Sequence, residues 1–141
     1  AKNMFGLIQG EADAIAPNKT PLSAMTPTIL TREGKLFMVL GSPGGPRIIN
    51  SVLQTILNVV DFKMNAQEAV DQPRIHHQWM PDEISYEPGI SPDTLDLLRG
   101  MGHTLKESNG HIGEVAAIVV GEDGWLQGAA DGRVEGSAKG H

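Results

Sequence analysis

The sequence contains no cysteine among its 141 residues, so neither a disulfide framework nor a thiolate metal centre can be built from it. Six aromatic residues are too few for a base-stacking platform. Cations are scarce as well. Eleven Lys and Arg stand against 17 Asp and Glu, a formal charge of −6, which offers no broad footprint for nucleic acid or an anionic membrane surface. No apolar run approaches the roughly 18 to 20 residues that cross a bilayer; the longest are of the kind Leu36 to Leu40. The chain opens at Ala1 without a basic region, apolar stretch and small-residue cleavage site in series, so any targeting signal is expected outside it. Nucleic acid and membrane are therefore not expected partners.

What the sequence has in quantity is glycine and proline, 17 and 9 residues, which favours turns and close backbone approaches over long helices. With 40% hydrophobic and 20% charged residues, residues 1–141 read as a single soluble domain. No internal repeat or low-complexity tract divides it. Residues 1–21 lack periodicity and read as an arm that needs a surface to order it, 22–131 as the folded body, and 132–141 as a polar tail that frays from Asp131 onward.

Within the body, Thr28 to Thr31, a turn at Arg32-Glu33-Gly34-Lys35, and Leu36 to Leu40 form a hairpin whose second strand, apolar on both faces, is expected to be covered on both sides. After Gly41-Ser42-Pro43-Gly44-Gly45-Pro46 the spacing turns helical. Ile48, Val52, Ile56 and Val60 make one stripe, Ile49, Leu53 and Leu57 widen it, and Asn50, Gln54 and Asn58 take the other face. Asn65 with Glu68 reads as a capping box for a short helix stopped by Pro73. Ser91-Pro92 opens another helix, which ends near Gly100 or Gly102. Arg74 to Trp79 and Glu83 to Glu87 read as short strands, and Val115 to Val120 with Trp125 to Ala130 as a second hairpin. Strands and helices in blocks suggest an α+β packing rather than a doubly wound parallel sheet.

The glycine turn is the most informative stretch. Pro43 and Pro46 have no N–H, so Ser42, Gly44, Gly45 and Arg47 hold the available backbone donors. Gly44 and Gly45 lack a Cβ and sit at the positive end of the helix, where a negative oxygen can approach their amides. An oxyanion hole needs that arrangement, and a simple strand-to-helix turn would use the same glycines. No Lys-Ser or Lys-Thr follows them, so the stretch does not match a phosphate-binding loop. Ser23 either presents its hydroxyl at the same sheet end as Ser42 or makes a local turn hydrogen bond.

His76 and His77 are adjacent and face opposite sides of a strand, so they cannot chelate one metal together, and His103 and His111 read as surface residues. Ser42, His77 and Asp82 assemble into a triad on paper, as such sets do in many chains of this length. Glu83, Glu87, Glu107, Glu114 and Glu122 show no acid/base spacing and read as solvated charges. No metal and no cofactor is expected.

Pro-Asn-Lys-Thr-Pro-Leu-Ser (17–23), Met-Thr-Pro-Thr (25–28), Gly-Ser-Pro-Gly-Gly (41–45), Arg-Ile-Ile (47–49) and Pro-Arg-Ile-His-His-Gln-Trp (73–79) together resemble the C-terminal part of the γ-glutamyltranspeptidase small subunit. The resemblance runs from about Asp13 to Asp131. It implies an N-terminal-nucleophile hydrolase with a four-layer αββα sandwich, made as a precursor that cuts itself to expose a threonine. That threonine attacks a γ-glutamyl amide such as glutathione, with its own α-amino group as base, and the acyl group passes to water or an amine.

By the same resemblance Gly44 and Gly45 supply the oxyanion amides, while Ser23, Ala24 and Ser42 lie at the substrate, with Ala24 standing where the family pairs a second serine. The nucleophile and its stretch of the small subunit are not in this sequence, nor is the large subunit, so both are implied partners and the chain reads as a fragment. A periplasmic or extracellular parent and self-association through uncovered sheet surface are further expectations. Two other readings stay open: a small-anion or partner-binding domain without catalysis, and part of a related acylase not specific for glutamyl groups.

Overall fold

The structure, a computed structural model, describes residues 2–20 and 25–140. Ser23 and Ala24 lie outside the described residues. The hairpin forms as β1 (Thr28–Arg32) and β2 (Lys35–Gly41), joined by Glu33 and Gly34 at φ 52° and 77°. Positive φ at both central residues gives the turn the twist that antiparallel strands require, and glycine takes one of them without cost. Helix α1 (Arg47–Val60) starts directly after Pro46, α2 (Ala66–Asp71) carries the full Asn65–Glu68 capping box, and α3 (Pro92–Gly100) begins with proline in its first turn.

Two short strands, β3 (Ile75–His76) and β4 (Ile84–Tyr86), pair antiparallel, and β5 (Leu105–Glu107) joins β4 in parallel. β6 (Ala116–Val120) and β7 (Leu126–Ala129) form the second hairpin. The larger sheet has the order β1-β2-β6-β7 and is antiparallel throughout; the smaller has the order β3-β4-β5. The fold is α+β. β5 was not anticipated, because two of its three residues are charged and its pairing comes from a strand 21 positions earlier.

The core lies between one face of the larger sheet and the helices α1 and α2. Met38, Leu40, Ala117 and Val119 meet Ile48, Val52, Val59, Ala69 and Val70. Each fully buried Val, Ile or Met contributes about 1.5–3 kcal/mol. Two expectations need correction here. β2 is covered on one side only: Met38 and Leu40 are buried, whereas Val39, aligned across the sheet with Ile29 and Ile118, faces outward on an open apolar surface. The helical stripe is rotated as well. α1 buries Ile48, Ser51, Val52, Thr55 and Val59 and leaves Ile49, Leu53 and Leu57 exposed. Ser51 and Thr55 can be buried because their hydroxyls donate to carbonyls one turn back, Arg47 O at 2.9 Å and Ser51 O at 2.9 Å.

The polar face of α1 packs on neighbouring elements. Gln54 both donates to Ile75 O and accepts from Ile75 N, Asn58 donates to Ala69 O, and Asn50 meets the His76 ring. Among the described residues no helix is long and apolar enough to cross a membrane.

Candidate functional site

The strand β2 delivers the chain to the N-terminus of α1 through residues 42–46, and the geometry of that passage is set by glycine. Gly44 has φ +134° and Gly45 φ +58°, values that side chains rarely adopt. Their carbonyls turn toward the helix and accept from Arg47 N and Ile48 N, both at 3.2 Å. Their amides donate to nothing among the described residues. Two successive unpaired N–H groups thus sit at the positive end of a 14-residue helix. Gly44 is exposed and Gly45 half-buried. The ring of Phe5, from the N-terminal arm, lies where a Cβ on Gly45 would stand, with Cε1 2.7 Å from that position.

A second loop backs the turn. Gly113 takes φ +71°, its Cα is 3.4 Å from where a Gly44 Cβ would lie, and a side chain on Gly113 would collide with Ser51 and Ser42. Ser42 joins the two loops: its Oγ donates to Pro43 O at 2.7 Å and accepts from Glu114 N at 2.9 Å. The single Ser51 hydroxyl proton is shared between Arg47 O at 2.9 Å and Ile112 O at 3.1 Å.

Behind that loop stand four charged residues. Arg74, 1% exposed, donates through Nη1 to Ile112 O and Gly113 O and through Nη2 to Val70 O and Asp131 Oδ2. Asp131 also accepts from Val115 N, and Glu87 accepts from Ile112 N and Arg74 N. Arg133 bridges both carboxylates, at 2.6 Å to Glu87 and 3.0 Å to Asp131. Burial opposes ionisation of the two acids. The hydrogen bonds from Arg133 and the Ile112 and Arg74 amides to Glu87, and from the Val115 and Arg133 amides and both arginines to Asp131, outweigh it and hold both below the ordinary carboxylate range. Burial likewise opposes the Arg133 charge, and Glu87 and Asp131 overcome it and raise its affinity for the proton.

This network corrects two expectations. Glu87 is buried rather than solvated, and the segment from Asp131 to Arg133 is tied into the interior rather than frayed. Sequence reasoning missed Arg74 and Arg133 altogether, since their partners lie up to 63 positions away. The only local signal was the pairing of Arg and Asp or Glu inside otherwise apolar or glycine-rich segments.

The remaining candidates separate. His76 is buried, and burial lowers its pKa; its ring is held between Asn50 Nδ2 and Gln78 Oε1, both at 2.9 Å. Gln78 Nε2 donates to Phe5 O and Met80 O, which leaves its oxygen as acceptor and assigns the His76 proton to Nε2. His77 is on the opposite side and exposed, 3.0 Å from Asp82. Of the paper triad, then, the His77–Asp82 pair forms, but the Ser42 hydroxyl is engaged by Pro43 and Glu114 and does not join it. His111 pairs with Glu114 on the surface, and Glu83 with Lys106. No group of three metal-ligating side chains occurs among the described residues.

Beside the glycine turn opens a cavity of about 650 Å³ between α1, the small sheet and residues 108–114.

A family model described as gamma-glutamyltranspeptidase matches residues 1–141. The chain is 51% identical over 133 residues to the "Glutathione hydrolase proenzyme" of Escherichia coli (strain K12), covering 93% of this chain and 22% of that protein. Among solved structures it is similar to an acivicin-inhibited gamma-glutamyltranspeptidase, with a TM-score of 0.89 and 46% identity, covering 96% of this chain and 73% of the other. It is equally similar in shape to the gamma-glutamyltranspeptidase from Pseudomonas nitroreducens complexed with L-DON, with a TM-score of 0.89, 38% identity, and coverage of 100% and 74%. The chain spans about a fifth of the length of the curated relative.

Proposed function

The chain belongs to the γ-glutamyltranspeptidase family, within the N-terminal-nucleophile hydrolases, and from that membership we propose that it supplies the oxyanion half of a γ-glutamyl transfer and hydrolysis site. One observation carries the reading: the amides of Gly44 and Gly45 are adjacent, at the head of α1 and unpaired among the described residues. Donors fixed in that way cost no reorganisation when negative charge develops on a carbonyl oxygen.

In the reaction, a threonine hydroxyl from a part of the enzyme outside this chain adds to the γ-carbonyl of the glutamyl amide. The carbonyl oxygen takes the negative charge and is held by the two glycine amides. Collapse expels the amine, which carries away a proton, and leaves a glutamyl ester on the threonine. Water or a second amine then attacks that ester, and the same two amides stabilise the second tetrahedral species. Ser23 holds the α-carboxylate of the glutamyl group, with Ala24 beside it in place of a second hydroxyl, and Ser42 keeps the turn in register from behind. The whole enzyme acts on small γ-glutamyl compounds of the glutathione type. Residues 1–141 form one domain of it, completed by the rest of the small subunit and by the large subunit, which cover the open face around Val39 and Ile118. Without those parts that face drives self-association.

The experiment is turnover of a chromogenic γ-glutamyl amide by the full-length protein and by this chain alone. The full-length protein should turn the substrate over and the chain alone should not, because amides without a nucleophile form no acyl intermediate. Saturable turnover by the chain that survives repurification and disappears in Ser42→Ala would overturn the reading in favour of a serine mechanism. An equal rate on amides without the α-carboxylate would favour an acylase of broader scope.

A further inference from the structure

We propose that Asn109-Gly110 is a site of spontaneous covalent modification, at which the asparagine amide closes on the following backbone nitrogen, loses ammonia and reopens as aspartate or isoaspartate. The site lies in the loop between β5 and Ile112. Its chemistry needs only water, and the γ-glutamyl transfer reading does not enter it.

Cyclisation asks three things of an asparagine: a side chain free to turn toward its own main chain, a next nitrogen not shielded by a Cβ, and an N–H not committed to a carbonyl. The chain holds six asparagines, and one meets all three conditions. Asn3 accepts from the Phe5 and Leu7 amides, Asn50 donates to the His76 ring and His77 O, Asn58 donates to Ala69 O, and Asn65 caps α2. Asn18 is exposed, but the residue after it is Lys19, whose Cβ flanks the attacking nitrogen and whose amide already donates to Ala16 O at 3.3 Å.

Asn109 differs from all of these. It is exposed, and its side chain has no partner among the described residues. Gly110 is exposed too; its amide reaches the Ser108 hydroxyl oxygen, at 3.4 Å, rather than a carbonyl. The loop is tethered on either side, by Ser108 N to Tyr86 O at 2.8 Å and by Ile112 N to Glu87 at 2.6 Å. Between those tethers neither Asn109 nor Gly110 bonds to another backbone group among the described residues, so the main chain can rotate into the ring without breaking an element.

In the first step the Gly110 nitrogen gives up its proton and forms a bond to Asn109 Cγ. The Cγ–Nδ2 bond breaks, and Nδ2 leaves as ammonia with that proton. One water then opens the cyclic imide. Attack at Cγ yields aspartate, and attack at the main-chain carbonyl yields isoaspartate, in which the chain runs through the former side chain. Either product adds one negative charge to a wall of the cavity beside the glycine turn. Isoaspartate also adds one carbon to the backbone that leads to Ile112 and Gly113.

The test holds the full-length protein folded in warm buffer at pH 6 and at pH 8, beside the same protein in urea, and follows the tryptic peptide 107–133 by mass spectrometry. The peptide should gain about 1 Da, the change from an amide NH2 to OH, in two resolvable forms located at residue 109. The gain should be faster at pH 8 than at pH 6, because the attacking nitrogen must lose its proton, and the folded rate should be of the same order as the rate in urea. Asn18 and Asn50 should keep their amides in the folded protein over the same period. Gly110→Ala should slow the gain about tenfold or more through its Cβ. The fold admits that variant, since the new Cβ meets nothing within 4 Å and φ lies outside the left-handed region. An amide at residue 109 that survives in the folded protein, whether or not urea releases it, would overturn the assignment, as would a gain that Gly110→Ala leaves unchanged.

Discussion

The glycine turn and the loop behind it are within van der Waals reach of each other and are built in opposite ways. From Gly41 to Pro46 there is almost no side-chain chemistry: two prolines without donors, two glycines at positive φ, and amides left free. From His111 to Val115 six of the ten backbone polar groups are held by side chains from elsewhere, through Arg47, Arg74, Glu87, Asp131, Ser51 and Ser42. The difference teaches where rigidity comes from. A site that must present bare amides cannot brace itself with its own side chains, so the bracing is moved one layer back, to four charges that satisfy each other in the interior.

The comparison breaks most severely at Arg74. Replacing it by methionine takes one donor each from Asp131 and the Ile112 carbonyl, leaves the Gly113 carbonyl with none among the described residues, and breaks a buried ion pair, at a cost of about 3–5 kcal/mol. Urea unfolding should show the fall in midpoint, and the backbone amides of residues 112–115 should exchange hydrogen faster than those of α1. An unchanged midpoint would mean that the loop holds itself.

Ser42 offers a milder break at the hinge between the two regions. Ser42→Ala removes one bond to each, so stability should drop by about 0.5–1.5 kcal/mol. In the full-length enzyme kcat should fall several-fold through a loosened turn, while KM for the donor stays near its original value. A loss as large as that from removing a nucleophile would mark Ser42 as chemically engaged.

Acid sharpens the comparison with the smallest perturbation. Glu87 and Asp131 have lower pKa values in the folded chain than their ordinary 4.5 and 3.8, so their contribution is complete above about pH 4.5. It is lost as the pH falls below that value and through the depressed native pKa values. Urea midpoints measured from pH 6 down to pH 3 should decline, and Asp131→Asn should flatten the decline. A wild-type midpoint constant over that range would show that the network carries no net stability.

These two regions also differ in how far the sequence discloses them. The turn was legible because its information is local: two prolines subtract donors, two glycines admit positive φ, and an amphipathic segment follows at once. The hairpins, the capping box of Asn65 and Glu68 and the proline-led start of α3 were legible for the same reason. The support was not. Glu87 looks like any solvated glutamate until Arg133, 46 positions on, is brought to it, and Asp131 sits where composition reads as tail.

The buried face of α1 was misjudged through side-chain chemistry rather than distance. Ser51 and Thr55 spend their hydroxyls on their own helix and so enter the core, while Ile49, Leu53 and Leu57 are left outward. Periodicity counts apolar residues and has no means of seeing a polar one that has satisfied itself. β2 shows the converse limit: an apolar strand announces that both faces seek cover, but not that within this chain only one of them receives it.

The most direct measurement is the effect of Gly44→Ala on the full-length enzyme, because φ +134° is closed to an alanine and the amide must rotate away. With folding verified by an unchanged circular dichroism spectrum and urea midpoint, kcat for a γ-glutamyl anilide should fall about 100-fold or more while KM changes far less, as expected for a donor used when charge develops. A folded Gly44→Ala enzyme with wild-type kcat would contradict the oxyanion role and reduce the glycines to a turn.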